Sequence, residues 1–343
     1  MDIKNFDYTD FDLKKLSLLK QKKNLRIAVA IPIKNEAATI GKIISKIRET
    51  CGSLVDDIAV FDSGSTDNSK DIVLNKGVPC ILDADMAKAA GLGANQWKRG
   101  KGFNLWASVL YFRQADIIAW VDGDLDFKPE HLYGVLGPLI IDDDIDFSKG
   151  AYIRPEYDNK LTAFLEPITG LLGAPFSQVN AEFRDPTCGL YAGRREHLEE
   201  LPFTTGYSVE MRTLIYSYTL LDSFKIAQAG VGRLENRNRS VSYMARMSAH
   251  IVRDMFQMSK ELQGEIIIDG HLPKQYTQWN NERTIENQNF VSDIIDIRLP
   301  LVKDVLAVRE AAKKKKRESY LEKMAELVKM PYRLLISGII FEK

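Results

Sequence analysis

Three cysteines in 343 residues leave little room for covalent cross-linking. Cys51, Cys80 and Cys188 stand at wide, unequal spacing, which gives neither a disulfide framework nor a CxxC metal site. A reducing cytoplasm is therefore the expected compartment. Long apolar runs are also missing. None approaches the roughly 20 residues a membrane span needs. The first stretch, MDIKNFDYTDFDLKKLSLLKQKKN, carries acids at the front and no apolar core, so it does not read as a signal peptide. Net charge is lacking too. Lys and Arg number 47 and Asp and Glu number 47, so no global field draws the chain to nucleic acid. With 45% hydrophobic and 27% charged residues, the composition is that of a globular chain with a substantial core.

What the chain does contain is alternation. Residues 11–24 form a lysine-rich amphipathic helical pattern. RIAVAIPI (26–33) is a short apolar run of the kind found in buried parallel strands. A helical pattern, AATIGKIISKIRET, follows it. DDIAVFDSG (56–64) reads as a second strand, and a helix opens at STDNSKDIVLNKG with Ser65 as its N-cap. VPCILDA gives a third strand, GFNLWASVLYFRQ a helix, and DIIAWVDGD a fourth strand. This is an α/β protein with a parallel sheet covered on both faces.

In such sheets ligands bind beyond the carboxyl ends of the strands. Lys34-Asn35-Glu36, Asp62-Ser63-Gly64-Ser65 and Asp122-Gly123-Asp124 stand at three strand ends, and the three sets should converge on one crevice. Ser65 and Asp67 read as loop and cap residues. Asp122 and Asp124 read as functional, because carboxylates crowded at a strand end are costly unless a cation neutralises them. Residues 86–102, rich in Gly, Ala and basic side chains, are expected to form a mobile loop over the crevice. GLGANQ lacks the third glycine of GxGxxG, and GKG at 100–102 lacks Walker spacing. Lys101 is nonetheless well placed to meet a phosphate.

Beyond about residue 150 the pattern changes. FSKGAYIRP is strand-like, LTAFLEPITGLLGAPF helical, and the segments 185–198 and 201–221 carry Gly-rich turns leading into helices. IAQAGVGRLENRN is a strand running into a basic, amide-rich loop. From about 241 the pattern is mostly helical, and the KKKKR block reads as a solvated helix face.

IPIKNE, DSGSTDNS and an acid–x–acid motif after a later strand resemble GT-A glycosyltransferases of the family-2-like type. RGKGFNLWASV, DIIAWVDGDL, KGAYIRP, LPFTTGYSVEM and KIAQAGVGRLENRNR resemble, in order, blocks of the glucosyl-3-phosphoglycerate synthases across roughly residues 26–255. The resemblance implies a Rossmann-like GT-A sheet with a helical C-terminal extension. It divides the chain into an N-terminal helical arm (1–25), a nucleotide-sugar-binding subdomain (26–150), an acceptor-binding subdomain (151–240) and a helical region (241–343). It implies retaining transfer of a hexose, glucose first, to 3-phosphoglycerate with Mg²⁺ or Mn²⁺. UDP-glucose is the first-choice donor, with GDP- or ADP-sugars as alternatives.

By the same resemblance, Pro32, Ile33, Asn35, Glu36 and Ser63 hold base and ribose, and Lys101 approaches the nucleotide. Asp122 and Gly123 lie near the ribose, and Asp124 ligates the metal. Glu210 contacts the donor sugar. Arg154, Lys160, Leu161, Thr162 and Asn238 fall on the acceptor side. Three departures stand out. Asn236-Arg237-Asn238 replaces a triplet that begins with a metal-binding histidine, which leaves Asn236 as a hard-metal ligand. None of the four histidines (131, 197, 250, 271) lies in this block; each reads as structural or surface, with His250 best placed to fold back. Asn159-Lys160 and Glu166 replace a Gly-Arg pair and an arginine, and Pro186–Tyr191 loses a glutamate to Leu190. The open alternatives are transfer to glycerate, a polyol, a lipid phosphate or a protein, a nucleotidyltransferase, and a non-catalytic nucleotide-sugar binder. The long helical C-terminus would suit a homodimer.

Overall fold

The computed structural model describes residues 3–153, 172, 174–233, 241–263, 275–279, 288–293, 298–311 and 314. In chain order the elements are β1 (Lys4–Asp7), α1 (Leu13–Lys22), β2 (Ile27–Ile33), α2 (Ile40–Cys51), β3 (Asp57–Asp62), α3 (Ser69–Asn75), β4 (Cys80–Leu82) and α4 (Asp83–Ala90). They continue with α5 (Lys101–Tyr111), β5 (Ile117–Trp120), α6 (Pro129–Ile141), β6 (Phe147–Ile153), α7 (Ala174–Glu182), β7 (Tyr191–Arg194), α8 (Arg195–Glu200), α9 (Val209–Leu220), β8 (Ile226–Arg233) and α10 (Val241–Gln263). A hairpin of β9 (Gln275–Trp279) and β10 (Gln288–Asp293) follows.

Eight strands form one sheet in the order β1-β8-β6-β7-β5-β2-β3-β4. All seven residues of β2 are buried, as its unbroken apolar run requires of a strand covered on both faces. α2 packs through Ile40, Ile43, Ile44, Ile47 and Cys51, a stripe at helical spacing. The strands are parallel except β7, which runs antiparallel to both β5 and β6. The sheet therefore crosses residue 150 without a break.

Several expectations are corrected. Residues 4–7 are an edge strand beside β8, so the N-terminal arm is more than a helix. Ser65 does not cap α3, which begins at Ser69 behind Asn68. The loop expected from residue 86 is helical through Ala90, ended by Gly91 in the left-handed conformation (φ 75°). Four-residue β7 hides within what reads as a Gly-rich turn. The C-terminal part is helical over 241–263 and 302–311 but also carries the β9–β10 hairpin. Met1–Leu301 is one compact unit and Val302–Lys343 a second. The lysine block lies outside the described residues except Lys314. No described helix is long and apolar enough to cross a membrane. Cys51, Cys80 and Cys188 are free thiols.

Candidate active site

The loops after β2 and β3 are stitched together where the strands end. Asn35 takes a left-handed backbone (φ 60°), which asparagine tolerates better than most residues. Its N–H donates to Ser65 Oγ at 2.9 Å, and its Oδ1 accepts from Thr66 N–H at 2.7 Å. Glu36 N–H donates to Ser69 Oγ at 2.8 Å, and Ala37 N–H to Asp67 Oδ2 at 3.1 Å. Ser65 donates through both N–H and Oγ to Asp62 Oδ1. Ser65 and Asp67 are thus the structural residues their sequence suggested. Asn104 on α5 donates to Phe61 O and Ser63 Oγ, at 2.7 and 3.0 Å, and so braces the same wall from below.

The Asp-Gly-Asp turn after β5 presses on the end of β2. A Cβ at Gly123 would lie 2.6 Å from Ile33 Cγ2 and 3.0 Å from Pro32 O, so only glycine fits there. Thr39 Oγ1 donates to Gly123 O at 2.6 Å and secures the turn. Pro32, Ile33, Asn35, Glu36, Ser63, Asp122 and Gly123 are thereby brought to one place, with half-buried Asp124 next along the chain. The third acid of this run, Asp126, faces away and pairs with Lys46 at 3.6 Å.

Lys101 opens α5, and its Nζ sits between two carboxylates. Asp122 Oδ1 is at 2.5 Å, and Glu210 Oε1 is in contact. Burial alone would lower the Lys101 pKa. The charges of Asp122 and Glu210 outweigh it and raise the pKa well above the usual lysine value. Glu210 lies in the first turn of α9, where an acid also suits the helix dipole, and is buried.

The glycines around this lysine explain GKG. A Cβ at Gly100 would overlap Thr205 O, and one at Gly102 would overlap Thr204 O. Gly102 N–H donates to Gly206 O at 3.2 Å. The segment carrying Lys101 is thus locked to the turn that leads into the helix carrying Glu210. Gly189, two residues before β7, closes the group, since a Cβ there would overlap Asp122 Oδ2 and lie 2.9 Å from Lys101 Nζ. Sequence reading missed Gly189, Asn104 and the Thr204–Gly206 turn. The glycine pair bracketing Lys101 was their one visible sign. Leu190, which stands where the resemblance expects a glutamate, is buried in the apolar core cluster with Cys188.

Arg154, Lys160, Leu161, Thr162, Asn236 and Asn238 lie outside the described residues. So do Asn159, Glu166 and His271. His131 and His197 are core residues. Burial lowers each pKa to about 4, and His197 Nε2 meets Ser217 Oγ at 2.8 Å. His250 is buried against the Tyr207 ring, with centroids 6.2 Å apart.

A divalent cation fits the chemistry of this mouth. Asp124 offers a half-buried carboxylate oxygen, the hard donor that Mg²⁺ and Mn²⁺ prefer, in a turn whose glycine admits no side chain. Among the described residues no group of three or more His, Cys, Asp or Glu forms a closed metal cage.

The profile of glycosyl transferase family 2 matches residues 28–201. The chain belongs to glycosyl transferase family 2. Within the family it is 34% identical over 265 residues to the glucosyl-3-phosphoglycerate synthase of Petrotoga mobilis, covering 73% of this chain and 78% of that protein. It is 35% identical over 234 residues to the enzyme of the same name from Mycolicibacterium smegmatis, covering 66% and 75%. Two solved structures resemble it closely. The mannosyl-3-phosphoglycerate synthase of Rubrobacter xylanophilus superposes with a TM-score of 0.77 at 26% identity, over 88% of this chain and 97% of that one. The Mycobacterium tuberculosis glucosyl-3-phosphoglycerate synthase, solved with Mn²⁺, UDP-glucose and phosphoglyceric acid, gives 0.74 at 25% identity over 88% and 98%. The GT-A arrangement expected of a family 2 transferase is borne out.

Proposed function

We infer that this protein transfers glucose from UDP-glucose to 3-phosphoglycerate, giving glucosyl-3-phosphoglycerate. It is a metal-dependent hexosyltransferase, in keeping with its family and its relatives. The observation that carries this reading is the Lys101–Asp122–Glu210 group beside the Gly123–Asp124 turn at the carboxyl end of β5.

Pro32, Ile33, Asn35, Glu36 and Ser63 receive the base and ribose, and Asp122 faces the ribose. Asp124, with Asn236, holds Mg²⁺ or Mn²⁺, which offsets the negative charge that builds on the departing diphosphate. Lys101 keeps its positive charge at any working pH and adds to that offset from the protein side. Glu210 faces the donor sugar, where a carboxylate orients hydroxyls and shields an oxocarbenium-like transition state. Arg154, Lys160, Leu161, Thr162 and Asn238 receive the phosphorylated acceptor. The acceptor hydroxyl enters on the face the diphosphate leaves, which retains the anomeric configuration. The protein acts in the cytoplasm as a homodimer joined through its C-terminal helical region.

A second reading concerns only the sugar. The likeness to a mannosyl-3-phosphoglycerate synthase favours mannose from a GDP-sugar as the alternative. Incubation with 3-phosphoglycerate, Mn²⁺ and a panel of UDP-, GDP- and ADP-sugars, with proton NMR of the product, decides both questions. An α-linked glucosyl product from UDP-glucose is expected. A mannosyl product would move the assignment to the second reading, and an inverted anomer would overturn the front-face path.

A further inference from the structure

Lys149 is a buried charge that the reading above does not use. It sits in β6, fully enclosed at 1% exposure. Its Nζ donates to Cys188 O at 2.6 Å and lies 4.6 Å from the centre of the Tyr191 ring. Among the described residues no carboxylate lies within ion-pair distance of it. Taking a lysine out of water without a paired acid is costly, so its retention calls for a reason other than stability.

Register supplies one. Lys149 is directly opposite Tyr191 across β6–β7, and Tyr191 is opposite Trp120 across β7–β5. Asp122 is two residues after Trp120 and Gly189 two before Tyr191. Their register puts Lys149, Tyr191 and Trp120 on one face of the sheet, and Asp122 and Gly189 meet just beyond the ends of β5 and β7. The charge of Glu210, on α9, acts on both Lys149 and Tyr191. The carbonyl that Lys149 holds belongs to Cys188, and the next residue is the glycine pressed on Asp122 and Lys101.

We propose that Lys149 is a positioning residue for the transfer reaction. It fixes the Cys188–Gly189 turn from beneath. Through that turn it holds Lys101, Asp122 and Glu210 in register, and it places a second positive charge behind the Glu210 carboxylate. A fixed charge under a reacting site costs no reorganisation when the transition state forms, which is where such groups act most strongly. Burial pulls the Lys149 pKa below the usual lysine value, and Cys188, Glu210 and Asp185 work against that shift, with Lys101 lowering it further.

The inference rests on the transferase reading, so the wild-type rate is measured first and stands as the check on that reading. Lys149→Met keeps the shape of the side chain and removes its charge and donor. The expected result is a fall in kcat of about tenfold or more, with KM for the donor within about twofold, as for an interaction that matters most in the transition state. The melting temperature should stay level or rise, because a buried charge has been exchanged for an apolar isostere. On a Glu210→Gln background the same substitution should cost about twofold or less, since the group it supports has already lost its charge. Unchanged kcat would overturn the proposal. So would a lowered melting temperature together with losses that multiply in the double variant, for that is the signature of a purely structural lysine.

Discussion

Where β2 and β3 end, backbone amides donate to short side chains: Asn35 to Ser65, Glu36 to Ser69, Ala37 to Asp67. Across the crevice, long side chains meet as ions. Lys101 bridges Asp122 and Glu210, and two residues beyond Glu210 buried Arg212 makes a bidentate pair with Asp254 and a further bond to Glu261. The first wall is a rigid receptor built from neighbours about 30 residues apart in the chain (35 to 65, 36 to 69). The second is assembled from α5, the β5 turn, β7 and α9, and depends on charge. The difference matches the proposed division of labour, in which one wall recognises a nucleoside and the other manages charge as a glycosidic bond breaks.

The comparison can be broken from the charged side first. Asp124→Ala should lower kcat about a thousandfold or more while circular dichroism and melting temperature stay as in the wild type. Normal turnover would remove Asp124 from the metal site. Arg212→Ala should leave Asp254 buried without its cation, while half-buried Glu261 keeps Arg298 at 3.5 Å and the Tyr216 hydroxyl. It should destabilise the fold by about 3 kcal/mol, read as a lower denaturant midpoint. Its failure to do so would mean that α9 is held by apolar packing alone. Gly189→Ala forces a methyl group onto Asp122 and Lys101 and should cut kcat about a hundredfold, as small misplacements of reacting groups do. Metal-dependent UDP binding measured by calorimetry should weaken as well, because the displaced Asp122 and Lys101 face the nucleotide.

The receptor wall should respond more mildly. Ser69→Ala removes an acceptor from Glu36 N–H and a donor to Asp67, and should cost about 1 kcal/mol of stability with kcat nearly unchanged. A large loss of activity there would show that the two walls are not separable.

The two walls also differed in how far the sequence disclosed them. β2, β3 and β5 are apolar runs that stop at polar residues, so their ends and the convergence of Asn35, Ser63 and Asp122 could be read directly. β7 could not. Four residues, Tyr191–Arg194, carry too little periodicity to stand out from the glycine-containing stretch around them. It is also antiparallel in a sheet whose neighbours are parallel, a choice made by tertiary packing. Gly189 and Lys149 stayed hidden for the same reason, because each acts by what another strand brings against it. The polar β9–β10 hairpin and the alanine-rich α4 were misjudged because neither shows an alternating or a striped apolar pattern. Family likeness supplied Glu210 and the acceptor residues. Spacing alone would have left Glu210 as a helix-terminal acid.

The most direct measurement is UDP release from UDP-glucose by the purified protein with Mn²⁺, followed with and without 3-phosphoglycerate and after chelation of the metal. Release that requires both the phosphoglycerate and the metal, with one glucosyl-3-phosphoglycerate formed per UDP, is the predicted result. Release that proceeds equally without 3-phosphoglycerate, or survives chelation, would contradict the account.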